Sequence, residues 1–225
     1  MGTNITLTAG DGFRFGAYRA EPESAPKGGI VVIQEIFGVN SHIREVADGY
    51  AAAGYLAIAP ALYDRVEAGV EVGYTEADIA AGRDYRGRTD HDKVLADVTA
   101  AAGAARAGGR VGAVGYCWGG FLAAAAAVDL HGAVDACVGY YGGGIANALL
   151  DRSPQVPLML HFGEIDHAIP LEDVDKIRAA WPDVPVHVYG GAGHGFECDQ
   201  RASYHPHSAR LALSRTLRFF ATHVG

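Results

Sequence analysis

Six short apolar runs that alternate almost throughout with helical patterns constrain this chain more than any other feature. Residues 29–34, 55–59, 110–115, 136–140, 158–163 and 186–189 are continuous stretches of mainly aliphatic and aromatic side chains, the pattern of strands buried on both faces. Helical patterns occupy residues 42–53, closed by Gly54, residues 90–107, closed by Gly108-Gly109, and residues 119–128, 171–180 and 204–223. Parallel strands need crossover connections, and crossovers are right-handed, so the alternation predicts an α/β fold: a mostly parallel central sheet with helices on both faces. Ahead of it, residues 5–20 alternate polar and apolar around Asp11-Gly12. That pattern predicts an N-terminal antiparallel edge hairpin whose Asp-Gly turn supplies the positive φ angles. Residues 62–89 are polar and glycine-punctuated, and read as an irregular excursion over the site with a partial helix at 75–82.

With 225 residues, 49% of them hydrophobic and 20% charged, the chain can bury a large core, and one domain over residues 1–225 is expected. Its 18 basic against 26 acidic residues leave a net charge of −8, which argues against attraction to nucleic acid or anionic lipid. The apolar run at 121–128 stops at Asp129, well short of the roughly 20 residues of a spanning helix. No basic region leads into an apolar run at the start, so a cytoplasmic location and reduced thiols at Cys117, Cys137 and Cys198 are expected.

The strongest chemical signal is Gly115-Tyr116-Cys117-Trp118-Gly119-Gly120, which follows a buried strand and opens an apolar helix. It is a nucleophile elbow, G-x-C-x-G, with cysteine in the serine position. The glycines permit a sharp turn that presents Cys117 at a helix N-terminus, where the macrodipole favours thiolate. The hydrolase chain order of nucleophile, acid and histidine is then completed. Asp166 lies in the loop after the strand at 158–163, and His194 in the glycine-rich loop after the strand at 186–189. Asp166 would fix the imidazole tautomer and His194 would shuttle protons; Glu164 is the rival acid. Two backbone amides are needed for an oxyanion, one from Trp118 after the nucleophile and one from Ile36 or its neighbour in the loop after the first buried strand. Glu35 in that loop would oppose ionisation of the thiol by like charge, or hold it by hydrogen bond.

These residues carry a family resemblance. Gln34-Glu35-Ile36-Phe37-Gly38-Val39-Asn40, Ala59-Pro60 with Leu62-Tyr63, residues 112–120, Gly139-Tyr140-Tyr141-Gly142, Gly163-Glu164-Ile165-Asp166 and Gly193-His194-Gly195-Phe196 occur in order. Together they resemble the dienelactone hydrolase family, the carboxymethylenebutenolidases of the α/β-hydrolase fold. The resemblance implies a triad of Cys117, Asp166 and His194, with Glu35 in the family's thiol-regulating position. It also implies hydrolysis of an enol-lactone to an open-chain keto acid, without metal or organic cofactor. Typical members bind the lactone's carboxylate with a serine directly after the histidine and an arginine four residues after it, where this chain has Gly195 and Cys198. Arg201, Arg83, Arg86 and Arg88 are the substitutes on offer, and Tyr85 and Tyr141 are further pocket candidates.

Cysteine chemistry itself narrows the reaction. A thiolate attacks well and is easily expelled, which suits esters whose leaving group is a stabilised enolate better than amides. Together with the resemblance, which implies a substrate carboxylate, this makes a small, anionic ester or lactone the expected partner; a monomer or small homo-oligomer is expected. Neither His205-Pro206-His207 nor Asp90-His91-Asp92 has the spacing of a metal site. A broader thiol-dependent esterase is the alternative reaction, favoured by Gly195 and Cys198. A small-ligand receptor or an oxidant sensor at Cys117 is the non-enzymatic alternative. A receptor has no need of Asp166 and His194 together, so the ordered set argues for turnover.

Overall fold

In the computed structural model, which describes residues 2–225, the chain runs β1 (Thr3–Thr8), β2 (Arg14–Ala20), β3 (Gly29–Ile33), α1 (Ser41–Ala52), β4 (Leu56–Pro60), α2 (Glu76–Gly87) and α3 (His91–Ala105). It continues β5 (Val111–Tyr116), α4 (Trp118–Asp129), β6 (Ala136–Tyr140), α5 (Ile145–Ala148), β7 (Leu158–Gly163), α6 (Leu171–Ala180), β8 (Val186–Tyr189) and α7 (Pro206–His223). One eight-stranded sheet has the order β1-β2-β4-β3-β5-β6-β7-β8. β1 and β2 pair antiparallel, as do β2 and β4, and all other pairings are parallel. The expected α/β architecture with an antiparallel edge is therefore the observed one.

From β3 the chain steps one way to β4, then returns past β3 to β5 and continues outward to β8. Right-handed crossovers taken in opposite directions put α1 on one face of the sheet and α3, α4 and α6 on the other. The reversal leaves a crevice at the carboxyl ends of β3 and β5, the place where such sheets bind ligands. The strands beneath are fully covered: every residue of β3, β4, β5, β6 and β7 is buried. The alanines at 123–127 have no exposed surface; their slim side chains let α4 lie close against β5 and β6.

Two local expectations need correction. Of Asp11 and Gly12 only Gly12 has a positive φ, 86°. The hairpin closes over a longer loop, in which the Ala9 N–H donates to the Phe13 carbonyl and the Asp11 carboxylate accepts from the Phe13 amide. The excursion after β4 also holds a full helix, α2, running beyond Gly82 to Gly87. It opens on a capping box in which Thr75 accepts from the Asp78 amide and Asp78 accepts from the Thr75 amide. Gly82 does not end this helix; any Cβ there would strike the Ile36 carbonyl, so the glycine lets α2 pack onto the loop after β3.

Candidate active site

The elbow is built by close backbone approach. A Cβ on Gly115 would overlap the Gly119 carbonyl, one on Gly119 would overlap the Ile33 and Gln34 carbonyls, and one on Gly120 the Tyr140 carbonyl. With strands β3, β5 and β6 this tight against α4, the turn between β5 and α4 has no room to relax. Cys117 takes up the strain at φ 55° and ψ −114°, a backbone conformation uncommon for a residue with a side chain. Its amide donates to the Tyr140 carbonyl at 3.0 Å, and the half-buried thiol stands at the head of α4.

The loops after β7 and β8 reach the same point. His194 Nδ1 donates to Asp166 Oδ2 at 2.8 Å, and the second oxygen of Asp166 accepts from the Ala168 amide at 2.8 Å. Asp166 is thus held from both sides and buried. Glu164, the rival acid, is exposed and accepts from the Gly191 amide at 2.9 Å instead. Burial presses the His194 imidazole toward its neutral form, but the Asp166 carboxylate and the Cys117 sulfur outweigh it and lift the group to about 10.

A cavity of about 840 Å³ opens over these residues, and its walls include Cys117, Trp118, Ile36, Asp166 and His194. The loop carrying Ile36 is fixed from below: the Tyr63 hydroxyl donates to the Ile36 carbonyl at 3.1 Å and lies 3.2 Å from the Gly82 carbonyl. The Tyr63 ring stacks on Trp118 with centroids 5.4 Å apart.

The sequence candidates for substrate binding separate. Arg83 and Arg86 of α2 and Arg201 of the loop before α7 line the cavity. Arg88 does not; it pairs with Asp84 at 3.4 Å and lies over the Tyr85 ring. Tyr85 packs on Tyr63 and donates to Glu67 at 3.0 Å, outside the cavity wall. Tyr141 lies under the site, fully buried at φ 37°, with its ring 5.2 Å edge-on from that of His194. Both tyrosines are therefore packing residues here, Tyr141 as the floor beneath His194.

Arg201 and Glu35 form one unit. Glu35 has no exposed surface, and its Oε1 accepts from Arg201 Nη1 at 3.2 Å. The guanidinium lies 5.6 Å from the Phe37 ring centroid and 5.7 Å from that of Tyr74. Gly195, at φ 74°, is what admits it, since a Cβ there would overlap the guanidinium. Sequence reading missed a second grouping: Glu35, His42 of α1 and Cys198 bring their donor atoms within 4.8 Å of one another. Residues at 35, 42 and 198 have no common spacing, so only the fold could reveal it.

A parallel sheet with its antiparallel edge, a cysteine on a strained strand-to-helix turn and a histidine held by a carboxylate from the next loop together define an α/β-hydrolase. The match to the Dienelactone hydrolase family spans residues 15–224. A putative carboxymethylenebutenolidase of Synechocystis sp. is 36% identical over 241 residues, covering 99% of this chain and 97% of that one. The carboxymethylenebutenolidase of Pseudomonas putida is 36% identical over 227 residues, covering 96% and 95%. The crystal structure of a putative dienelactone hydrolase from Klebsiella pneumoniae superposes with a TM-score of 0.85 at 31% identity, covering 98% of this chain and 100% of that one. The chain belongs to the dienelactone hydrolase family and is a hydrolase of esters or lactones.

Proposed function

We propose that the protein opens an enol-lactone of the dienelactone type to an open-chain keto acid of the maleylacetate type, with Cys117 as nucleophile. The observation that carries this reading is Cys117 on its strained elbow, in one cavity with a His194 already hydrogen-bonded to Asp166. The Cys117 sulfur forms a bond to the lactone carbonyl carbon, and the carbonyl electron pair moves to oxygen. The Trp118 amide, first of α4 and free of an intrahelical acceptor, stabilises that oxyanion together with the Ile36 amide. Collapse breaks the ring C–O bond and expels the enolate, which takes the proton of the His194 imidazolium and becomes the ketone, leaving His194 neutral for the next step. Water then attacks the thioester, His194 takes its proton, and the thiolate leaves.

An anionic substrate is supported by the cavity wall, in which Arg83, Arg86 and Arg201 share the lining with one carboxylate, the already bonded Asp166, while Glu35 meets Arg201 from behind it. Arg201 is the leading anchor for a substrate carboxylate, which would compete with Glu35 for its guanidinium. Glu35, released, would then act on the thiol. A broader thiol-dependent esterase is the second reading. Its specific support is that position 198 holds a buried cysteine and position 195 a glycine, so the carboxylate grip differs from the family's usual one.

Ultraviolet-monitored hydrolysis of a dienelactone by the wild type and by Cys117→Ala, across pH, tests the proposal. Turnover lost in the variant is expected. A folded wild type that leaves the dienelactone intact, while its Cys117 is selectively alkylated, would overturn the substrate and leave the second reading.

A further inference from the structure

We propose that Glu35, His42 and Cys198 form a binding site for a thiophilic divalent metal ion of the zinc class, outside the reaction cavity. The three donor atoms lie within 4.8 Å of one another, and all three residues are buried. A tetrahedral ion with bonds of about 2.0–2.3 Å holds its donors about 3.5 Å apart, so side-chain shifts of the order of 1 Å close the site. Thiolate, imidazole and carboxylate together select zinc or cobalt over magnesium or calcium, which take oxygen ligands.

A purely structural polar cluster would satisfy its own hydrogen bonds, and this one does not. Glu35 Oε2, His42 Nε2 and Glu197 Oε2 are buried without a hydrogen-bond partner among the described residues. His42 Nε2 and Glu197 Oε2 lie 3.4 Å apart without the alignment of a hydrogen bond. The neighbourhood also provides a route. A cleft of about 260 Å³ between α1 and α7 has His42 and Glu197 in its wall, with Glu45 and Asp199 adding negative charge against Arg210 and the protonated His42, and an ion bound there releases the imidazole and thiol protons. Such a cleft concentrates cations.

The probe is Co²⁺, titrated into metal-stripped, full-length Cys117→Ala protein, which removes the accessible thiol of the reaction cavity. Cys137 does not compete, because it is buried in β6 and burial pushes its thiol well up. A thiolate-to-cobalt absorption band saturating at one equivalent per chain, displaced by Zn²⁺, is expected. Cys117→Ala/Cys198→Ser should lose the band with unchanged circular dichroism, and Cys117→Ala/His42→Gln should bind Co²⁺ at least about tenfold more weakly. No saturable band, or a band that survives in folded Cys117→Ala/Cys198→Ser, overturns the proposal. Should that variant not fold, Zn²⁺ must protect Cys198 of the Cys117→Ala protein from alkylation, read by mass; absence of protection overturns it equally. All these readouts are independent of turnover, so failure of the dienelactone reading leaves them interpretable.

Discussion

The molecule holds two groupings of thiol, imidazole and carboxylate, and they differ in backbone geometry and in access. In the first, His194 meets Asp166 in an aligned 2.8 Å hydrogen bond and Cys117 is thrust forward on a strained turn above an 840 Å³ cavity. In the second, His42 and Glu197 face each other at 3.4 Å without a hydrogen bond, and Cys198 sits in a relaxed turn, fully buried. Their partners lift both imidazoles against burial: Asp166 and Cys117 raise His194 to about 10, and Cys198 and Glu197 raise His42 to about 11. A cysteine beside a charged histidine is therefore not enough to define a nucleophile. What separates the two is backbone geometry and access, both of which come from the β5–α4 turn.

Breaking the first grouping should have the largest effect. Cys117→Ala is expected to lower kcat for dienelactone hydrolysis by about 10⁴-fold or more, whereas Cys198→Ser should stay within about fivefold of the wild type, both read by steady-state kinetics. Asp166→Asn should cost roughly 10³-fold in kcat, because the amide no longer holds the imidazole in its working tautomer. Glu164→Gln, at a side chain that accepts from the Gly191 amide and not from His194, should change kcat by less than about threefold. Equal losses in the two would undo the assignment of the acid.

Gly195→Ser should act through Arg201. A side chain at φ 74° is strained and meets the guanidinium, so a rise of roughly tenfold in KM with a smaller change in kcat is expected, along with about 1–3 kcal/mol of lost stability from denaturant unfolding. The smallest effect is on pH dependence. His194 binds its proton at about 10 in the folded chain against 6.5 unfolded. The stability it adds is thus complete below pH about 6.5 and is lost as pH rises toward 10. Cys117→Ala removes one of the groups that lift it, so the decline in Tm between pH 7 and 10 should be shallower in the variant than in the wild type.

How much of this was legible beforehand differed with the kind of signal. The elbow could be read because its glycines, its cysteine and the flanking strand and helix are contiguous. Asp166 and His194 could be read because each follows a strand whose carboxyl end faces the same edge. The full length of α2 was partly hidden: Thr75 and Asp78 announce its start, but Gly82 looks like a stop until its contact with Ile36 explains it. Tyr85 and Tyr141 were placed near the site in sequence and stand outside the cavity wall, because sequence distance says nothing of which way a ring turns.

Order along the chain, apolar periodicity and the glycine-flanked cysteine thus determined the α/β-hydrolase architecture and the three residues at the strand ends, since each is a local property of contiguous residues. Only the tertiary structure decided that Asp166 rather than Glu164 holds His194, and that Arg201 fills the space left by Gly195 to reach Glu35. It alone brought Glu35, His42 and Cys198 together. These are meetings between loops far apart in sequence, whose contacts are set by how β3, β7, β8 and α7 pack and leave no periodic trace in any one of them.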